Sequence, residues 1–156
     1  MRSLSDIEVP GGNLENLISK LEEQVKSNKS PNQLTIEDQD LSDVNFVDRN
    51  LTGINFSGSN FARADLSHAI LMNTTMSDCD LSNVNFTNCK ITSTNFSRAN
   101  LKDSSFNDAQ LSSVNLKNAD LTGADFEGAS LTATTLSFGT TFYNSLKNSR
   151  QNKVID

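Results

Sequence analysis

Ala119-Asp120-Leu121-Thr122-Gly123-Ala124-Asp125-Phe126-Glu127-Gly128 is one five-residue phrase written twice. It holds a small residue, an acid, a large apolar residue and two turn-forming or polar residues. Outward from this stretch the phrase continues without an insertion. From Ile36 to Leu136 every fifth residue is large and apolar, as at Leu41, Phe46, Leu51, Phe56, Phe61, Leu66, Leu71 and Met76. Two residues before it most units carry a small side chain, such as Ala64, Ala69, Cys79, Val84, Cys89, Ala99 or Ala109. One residue before it the usual choice is Asn or Asp, as at Asp40, Asn45, Asn50, Asn55, Asn60 and Asp65.

A period of five fits neither a helix nor a continuous strand. It fits a short strand followed by a tight turn in every unit. The small and large residues stand two apart and point to the same side, and the residue between them points out. Gly, Asn, Asp and Ser at the last two positions suit a corner. Stacked units would make a solenoid with an apolar bore, its backbone paired from coil to coil. Sorted by position modulo twenty, Phe46, Leu66, Phe86, Phe106 and Phe126 form a nearly all-Phe column, and Leu51, Leu71, Ile91, Leu111 and Leu131 form one without Phe. Such columns would fill the bore in layers. They fit four units per coil, and a period of ten equally well.

Ala64-Asp65-Leu66-Ser67-His68 and Ala119-Asp120-Leu121-Thr122-Gly123 match the A(D/N)LXX motif outright. On these residues the chain resembles the pentapeptide-repeat family. The resemblance implies an all-β solenoid, a right-handed quadrilateral β-helix with four units per coil. Leu41 to Leu136 would give about five coils, a shaft of roughly 24 Å at the usual strand spacing. The expected organisation is a flexible N-terminus over 1–12, a capping helix and linker over 13–35, the repeat shaft over 36–138, and a C-terminal cap with a frayed tail over 139–156.

A solenoid needs its ends covered. Leu14, Leu17, Ile18, Leu21 and Val25 fall on one helical face. They are expected either to cap the first coil or to bind a partner or second copy. Phe138, Phe142 and Leu146, spaced by four, suggest a short C-terminal helix, again a cap or a dimer contact. The family resemblance keeps a homodimer through a terminal cap open beside a monomer. Arg49 breaks the small inward rule, and is expected near the open end, paired with a group of the N-terminal segment.

Composition narrows the function. The 156 residues are 35% hydrophobic, with a net charge of −6. No basic stripe favours direct nucleic-acid binding. No apolar run is long enough for a membrane helix, and residues 1–10 lack the apolar core of a secretory signal, so a cytoplasmic location is expected. One His and two Cys cannot close a His/Cys metal site. Cys79 and Cys89 are expected as buried free thiols. His68 beside Ser67 and Asp65 lies on a flat wall with no enclosing pocket, so no enzyme and no cofactor are expected.

Surface charge is the remaining signal. With four sides, one wall carries Asp48, Asp65, Asp108, Asp125 and Glu127 with no Lys or Arg. Its neighbour adds Asp40, Asp43, Asp80, Asp103 and Asp120 against Arg63 and Lys102. The wall centred on Leu51 to Leu131 has no acid, one base (Lys90), and outward Ile70 and Met72. The acids serve either solubility or attraction of a basic protein surface, and Ile70 with Met72 marks a second candidate contact. The expected function is a non-enzymatic protein-binding rod, a bacterial scaffold or regulatory adaptor. The family resemblance implies an alternative, a DNA mimic of the quinolone-resistance type that binds DNA gyrase or a related topoisomerase. A purely structural rod is the third reading.

Overall fold

The computed structural model describes residues 35–137 and the backbone of 150–155. Parallel bridges join residues twenty apart throughout the shaft. Thr35, Asn55, Thr75, Asn95, Asn115 and Thr135 are linked in succession, and so are Asp40, Asn60, Asp80, Asn100 and Asp120. Twenty residues therefore make one turn of the coil, and the four-unit choice holds over the period of ten.

The local chemistry explains the phrase. The outward Asn or Asp accepts the backbone N–H two residues on, as Asp40 does from Ser42 at 3.1 Å and Asn50 from Thr52 at 3.1 Å. This Asx turn starts each corner. The second residue after the apolar centre then takes a left-handed backbone, with φ from 51° to 75°. Most of these corners are not glycine, and Asp, Asn and Ser predominate, for example Asp43, Asp78, Asn83 and Ser113. Each such residue costs on the order of 1 kcal/mol. The cost is offset because the corner N–H donates to the next coil, as from Asp48 to Ser67 O at 3.1 Å and from Arg63 to Ser82 O at 2.9 Å.

Four walls result, taken in chain order. The first is centred on Leu41, Phe61, Leu81, Leu101 and Leu121, and the second on Phe46, Leu66, Phe86, Phe106 and Phe126. The third is centred on Leu51, Leu71, Ile91, Leu111 and Leu131, and the fourth on Ile36, Phe56, Met76, Phe96, Leu116 and Leu136. All these centres are buried and form one core. On the second wall Phe86, Phe106 and Phe126 stack face to face, at centroid distances of 4.7 and 4.5 Å. Leu66 ends that stack, and above it Phe56 and Phe61 meet edge to face at 5.1 Å. Cys79 and Cys89 line the bore as free thiols. Their Sγ atoms donate to Phe56 O and Leu66 O, and burial pushes both thiols up to about 12.

The third wall carries the regular sheet. β1 (Ile70–Met72), β2 (Lys90–Thr92), β3 (Gln110–Ser112), β4 (Ser130–Thr135) and β5 (Arg150–Ile155) lie side by side in that order, all parallel. β5 corrects one expectation. The frayed tail within 139–156 contains a strand, which pairs Ser130 with Arg150 and Thr135 with Ile155 despite register shifts near Thr132. The repeat motif has lapsed there, but backbone pairing with the edge of β4 does not require it. No helix occurs among the described residues. The expected cap residues Leu14, Leu17, Ile18, Leu21, Val25, Phe138, Phe142 and Leu146 lie outside them.

Candidate interaction surface

The outward residues of each wall stack directly over their counterparts one coil away, so spacing by twenty decides which charges meet. On the first wall Asp and Asn alternate. Asn60 Nδ2 donates to Asp40 at 3.1 Å, and Asn100 Nδ2 donates to Asp80 at 3.0 Å. Asp120 receives Lys102 Nζ at 3.2 Å. At the corner beyond, Arg63 grips Asp43 through two bonds of 2.8 and 2.6 Å. The fourth wall repeats the device, Arg98 holding Asp78 through two bonds of 2.7 Å.

These contacts leave their mark on the carboxyls. Arg63 holds Asp43 below the usual carboxylate range, and Arg98 does the same for Asp78. Asp40 is lowered chiefly by the Ser42 hydroxyl, and Asp120 chiefly by the Thr122 hydroxyl with help from Lys102. The sequence sets Arg63 and Lys102 against the acids of the first wall in bulk. The pairing itself is legible only through the twenty-residue offset, Asp43 to Arg63 and Asp78 to Arg98.

The second wall is different. Asp48, Asp108, Asp125 and Glu127 are exposed and Asp65 is half-buried. None of the five forms a salt bridge among the described residues. Their hydrogen bonds serve the turns, and Asp65 in addition receives a side-chain amide from the next coil. Asp65 accepts from Ser67 N at 2.9 Å and Asn85 Nδ2 at 3.0 Å, and Asp125 accepts from Glu127 N at 3.0 Å. The Asp108 carboxylate lies against the left-handed Gly128 of the next coil, where a Cβ would overlap it. The structure thus brings the five acids together on one face of the rod, Asp48 and Asp108 along a single corner line.

Ile70 and Met72 lie on the sheet wall, with Met72 43% exposed. They begin a shallow, open depression that continues over Lys90, Thr92, Gln110 and Ser112. Lys90 carries its one charge. No His, Cys, Asp and Glu cluster able to hold a metal ion occurs among the described residues. No helix among them is long and apolar enough to cross a membrane.

Two family models cover the shaft. One, described as pentapeptide repeat region, matches residues 79–153, and the other, pentapeptide repeats in eight copies, matches residues 40–78. Among solved structures, the chain is similar to a pentapeptide repeat protein (Rfr23) of the cyanobacterium Cyanothece 51142. The two are 18% identical over 87% of this chain and 99% of that one, with a TM-score of 0.34. Full-length QnrB1, a plasmid-mediated fluoroquinolone resistance protein, is 18% identical over 75% of this chain and 70% of its own, with a TM-score of 0.37. A pentapeptide repeat protein from the Arabidopsis thaliana thylakoid lumen is 20% identical over 67% and 74%, with a TM-score of 0.32. No curated protein matches the chain in sequence.

Proposed function

The chain belongs to the pentapeptide-repeat family, and from that premise we propose that it is a non-enzymatic, right-handed binding rod of about five coils that meets a basic protein surface with its second wall. One observation carries this reading. Arg63, Arg98 and Lys102 are engaged in coil-to-coil ion pairs, whereas Asp48, Asp65, Asp108, Asp125 and Glu127 have no salt bridge among the described residues. Unneutralised charge on one side of a rod gives a directed field that steers a complementary partner. The narrower version takes the partner to be a DNA-binding enzyme of the topoisomerase class. The same acids favour it, since a surface evolved to hold phosphates would accept a line of carboxylates.

The test is affinity capture from extract with the native chain beside an Asp48→Asn, Asp65→Asn, Asp125→Asn variant. A partner captured by the native chain, weakened by salt and lost from the variant, is the expected result. A partner kept by the variant would overturn the acidic-wall reading, and a DNA-free topoisomerase among the lost partners would select the narrower version.

A further inference from the structure

We propose that His68 is a pH-dependent latch on the second wall: once protonated, its imidazolium binds back to Asp48 one coil earlier and closes the first carboxylate of the acidic line. The stacking rule of the shaft is the first ground. From Asp38 to Asp108, every other aspartate faces, twenty residues on, either a hydrogen-bond donor or a glycine. Asp40, Asp65 and Asp80 accept from Asn60, Asn85 and Asn100 at 3.1, 3.0 and 3.0 Å. Asp43 and Asp78 accept from Arg63 and Arg98. Asp38, Asp103 and Asp108 lie over Gly58, Gly123 and Gly128. In this series only Asp48 faces a group whose charge changes near neutral pH, His68.

Corner geometry is the second ground. Asp43, Arg63, Asp78, Arg98, Asp48 and His68 all hold φ between 59° and 63°. Arg63, His68 and Arg98 each donate their N–H to a carbonyl of the next coil at 2.9 Å. The three pairs therefore leave equivalent corners. The Nε atoms of Arg63 and Arg98 reach Asp43 and Asp78 at 2.8 and 2.7 Å. The Nε2 of an imidazole lies three bonds beyond Cβ, as an arginine Nε does, so His68 has the reach for the same contact. Asp48 and His68 are both exposed, which leaves the ring room to turn.

The groups around His68 set the sign. Asp48 lies on the coil before it and the neutral Asn88 on the coil after. Asp65 starts the turn that His68 completes, but is already engaged by Ser67 N and Asn85 Nδ2. Lys90 stands around the corner in the following coil, and Asp108 lies two coils on, over Gly128. Arg49 is buried next to Asp48. An imidazole takes up its proton at about pH 6.5. The open carboxylate within one coil is then Asp48, so the pair forms as pH falls and parts as pH rises. Resting on the acidic-wall reading, the consequence is control of recognition: the wall gains one positive charge in acid, and a basic partner is held less tightly.

The first test needs no partner. NMR on the full chain follows the Asp48 carboxyl carbon and the His68 ring between about pH 8 and pH 5. The Asp48 signal should move in step with protonation of the ring. It should still do so in about 1 M salt, where the screening length falls to ~3 Å and a charge acting at a distance is silenced. In His68→Asn the step should vanish, because an amide does not titrate, and Asn suits this left-handed corner as Asn88 shows. No step, or a step abolished by salt, overturns the latch. The second test weighs a partner captured by the native chain at about pH 7.5 and about pH 5.5. Relative to His68→Asn, the native chain should lose about threefold or more in affinity at the lower pH. His68→Lys, cationic at both, should bind weakly at both. Equal losses in the native chain and His68→Asn overturn the control of recognition. Retention of the partner by the Asp48→Asn, Asp65→Asn, Asp125→Asn variant overturns that control together with the acidic-wall reading, while the latch itself is decided by the carboxyl titration.

Discussion

The second and fourth walls face each other across one bore and use their residues in opposite ways. Inside the second wall, Phe86, Phe106 and Phe126 form a continuous stack. Inside the fourth, Phe56, Met76, Phe96 and Leu116 alternate, and Phe96 meets Phe86 and Phe106 edge-on. Outside, the relation is reversed. The fourth wall ties its coils with Ser57 Oγ against Ser77 Oγ at 3.1 Å and with the Arg98–Asp78 pair. The second wall leaves its carboxylates without a salt bridge among the described residues. The difference suggests a division of labour in which internal stacking holds the second wall, so that its outer charges need not contribute to stability.

The sharpest way to break this comparison is from the inside. Phe106→Ala removes a ring that has neighbours on both faces, and should cost about 3–5 kcal/mol in denaturant unfolding. Met76→Ala on the fourth wall removes a flexible, unbranched side chain, and should cost nearer the low end of the ~2–5 kcal/mol range for such truncations. Equal losses would mean that the stack is not what organises the second wall.

The corners come next. Gly128→Ala should destabilise by about 1–2 kcal/mol, part from the left-handed backbone and part from the Asp108 carboxylate in its way. Ala133 already holds φ at 51°, so a left-handed Ala is tolerable in this shaft. Adding Asp108→Ala should therefore recover much of the loss. Gly58 under Asp38 repeats the arrangement on the fourth wall, and Gly58→Ala should behave alike. No recovery in the double variant would assign the whole effect to the backbone.

How much of this was legible beforehand follows from the physics of each feature. The five-residue period specified the bore from Ile36 to Leu136 because burial acts on every fifth side chain in the same way. The Phe column through Phe106 pointed to four units per coil without excluding two. The Asx turns were missed: the sequence reading placed the turn chemistry in the last two positions, whereas the outward Asp40 and Asn50 supply the acceptor that starts each corner. Pairs such as Arg63 with Asp43 were hidden until the turn length was known, because their separation in sequence carries no local signal. β5 was illegible for a different reason. Gln151 stands in register with Leu131, and its segment continues no five-residue apolar rhythm that could be read. Wall membership of the five acids followed from their numbering. That they stand apart from the ion pairs emerged only when Arg63, Arg98 and Lys102 were seen to be engaged elsewhere.

Acid titration separates the two walls more gently. Asp78 on the fourth wall has its carboxyl lowered by Arg98. A folded value below the unfolded one, near 3.8, stabilises the fold above the unfolded value. That contribution disappears as pH falls through the folded value. Between about pH 5 and pH 3 the native Tm should fall more than that of Asp78→Asn, which no longer titrates there. Both side chains of the pair are more than half or nearly half exposed, so the difference should be small and smaller still in high salt. Parallel pH curves for the two proteins would remove the fourth wall's charges from the account of stability.

The smallest expected effect on stability is the most informative about function. Asp48→Asn, Asp65→Asn and Asp125→Asn together remove three charges from the second wall while keeping an oxygen at each site. The amide oxygen that replaces the Asp65 carboxylate can still accept from Ser67 N, and the one that replaces the Asp125 carboxylate can still accept from Glu127 N, so the turns survive. None of the three loses a salt bridge among the described residues, and like-charge repulsion along the face is relieved. Thermal unfolding should therefore be unchanged or slightly raised. A clear drop would mean that these carboxylates support the fold, and the contrast with the Arg98–Asp78 corner would collapse. Unchanged stability with loss of a captured partner would leave recognition as the role of a wall whose rings already hold it together.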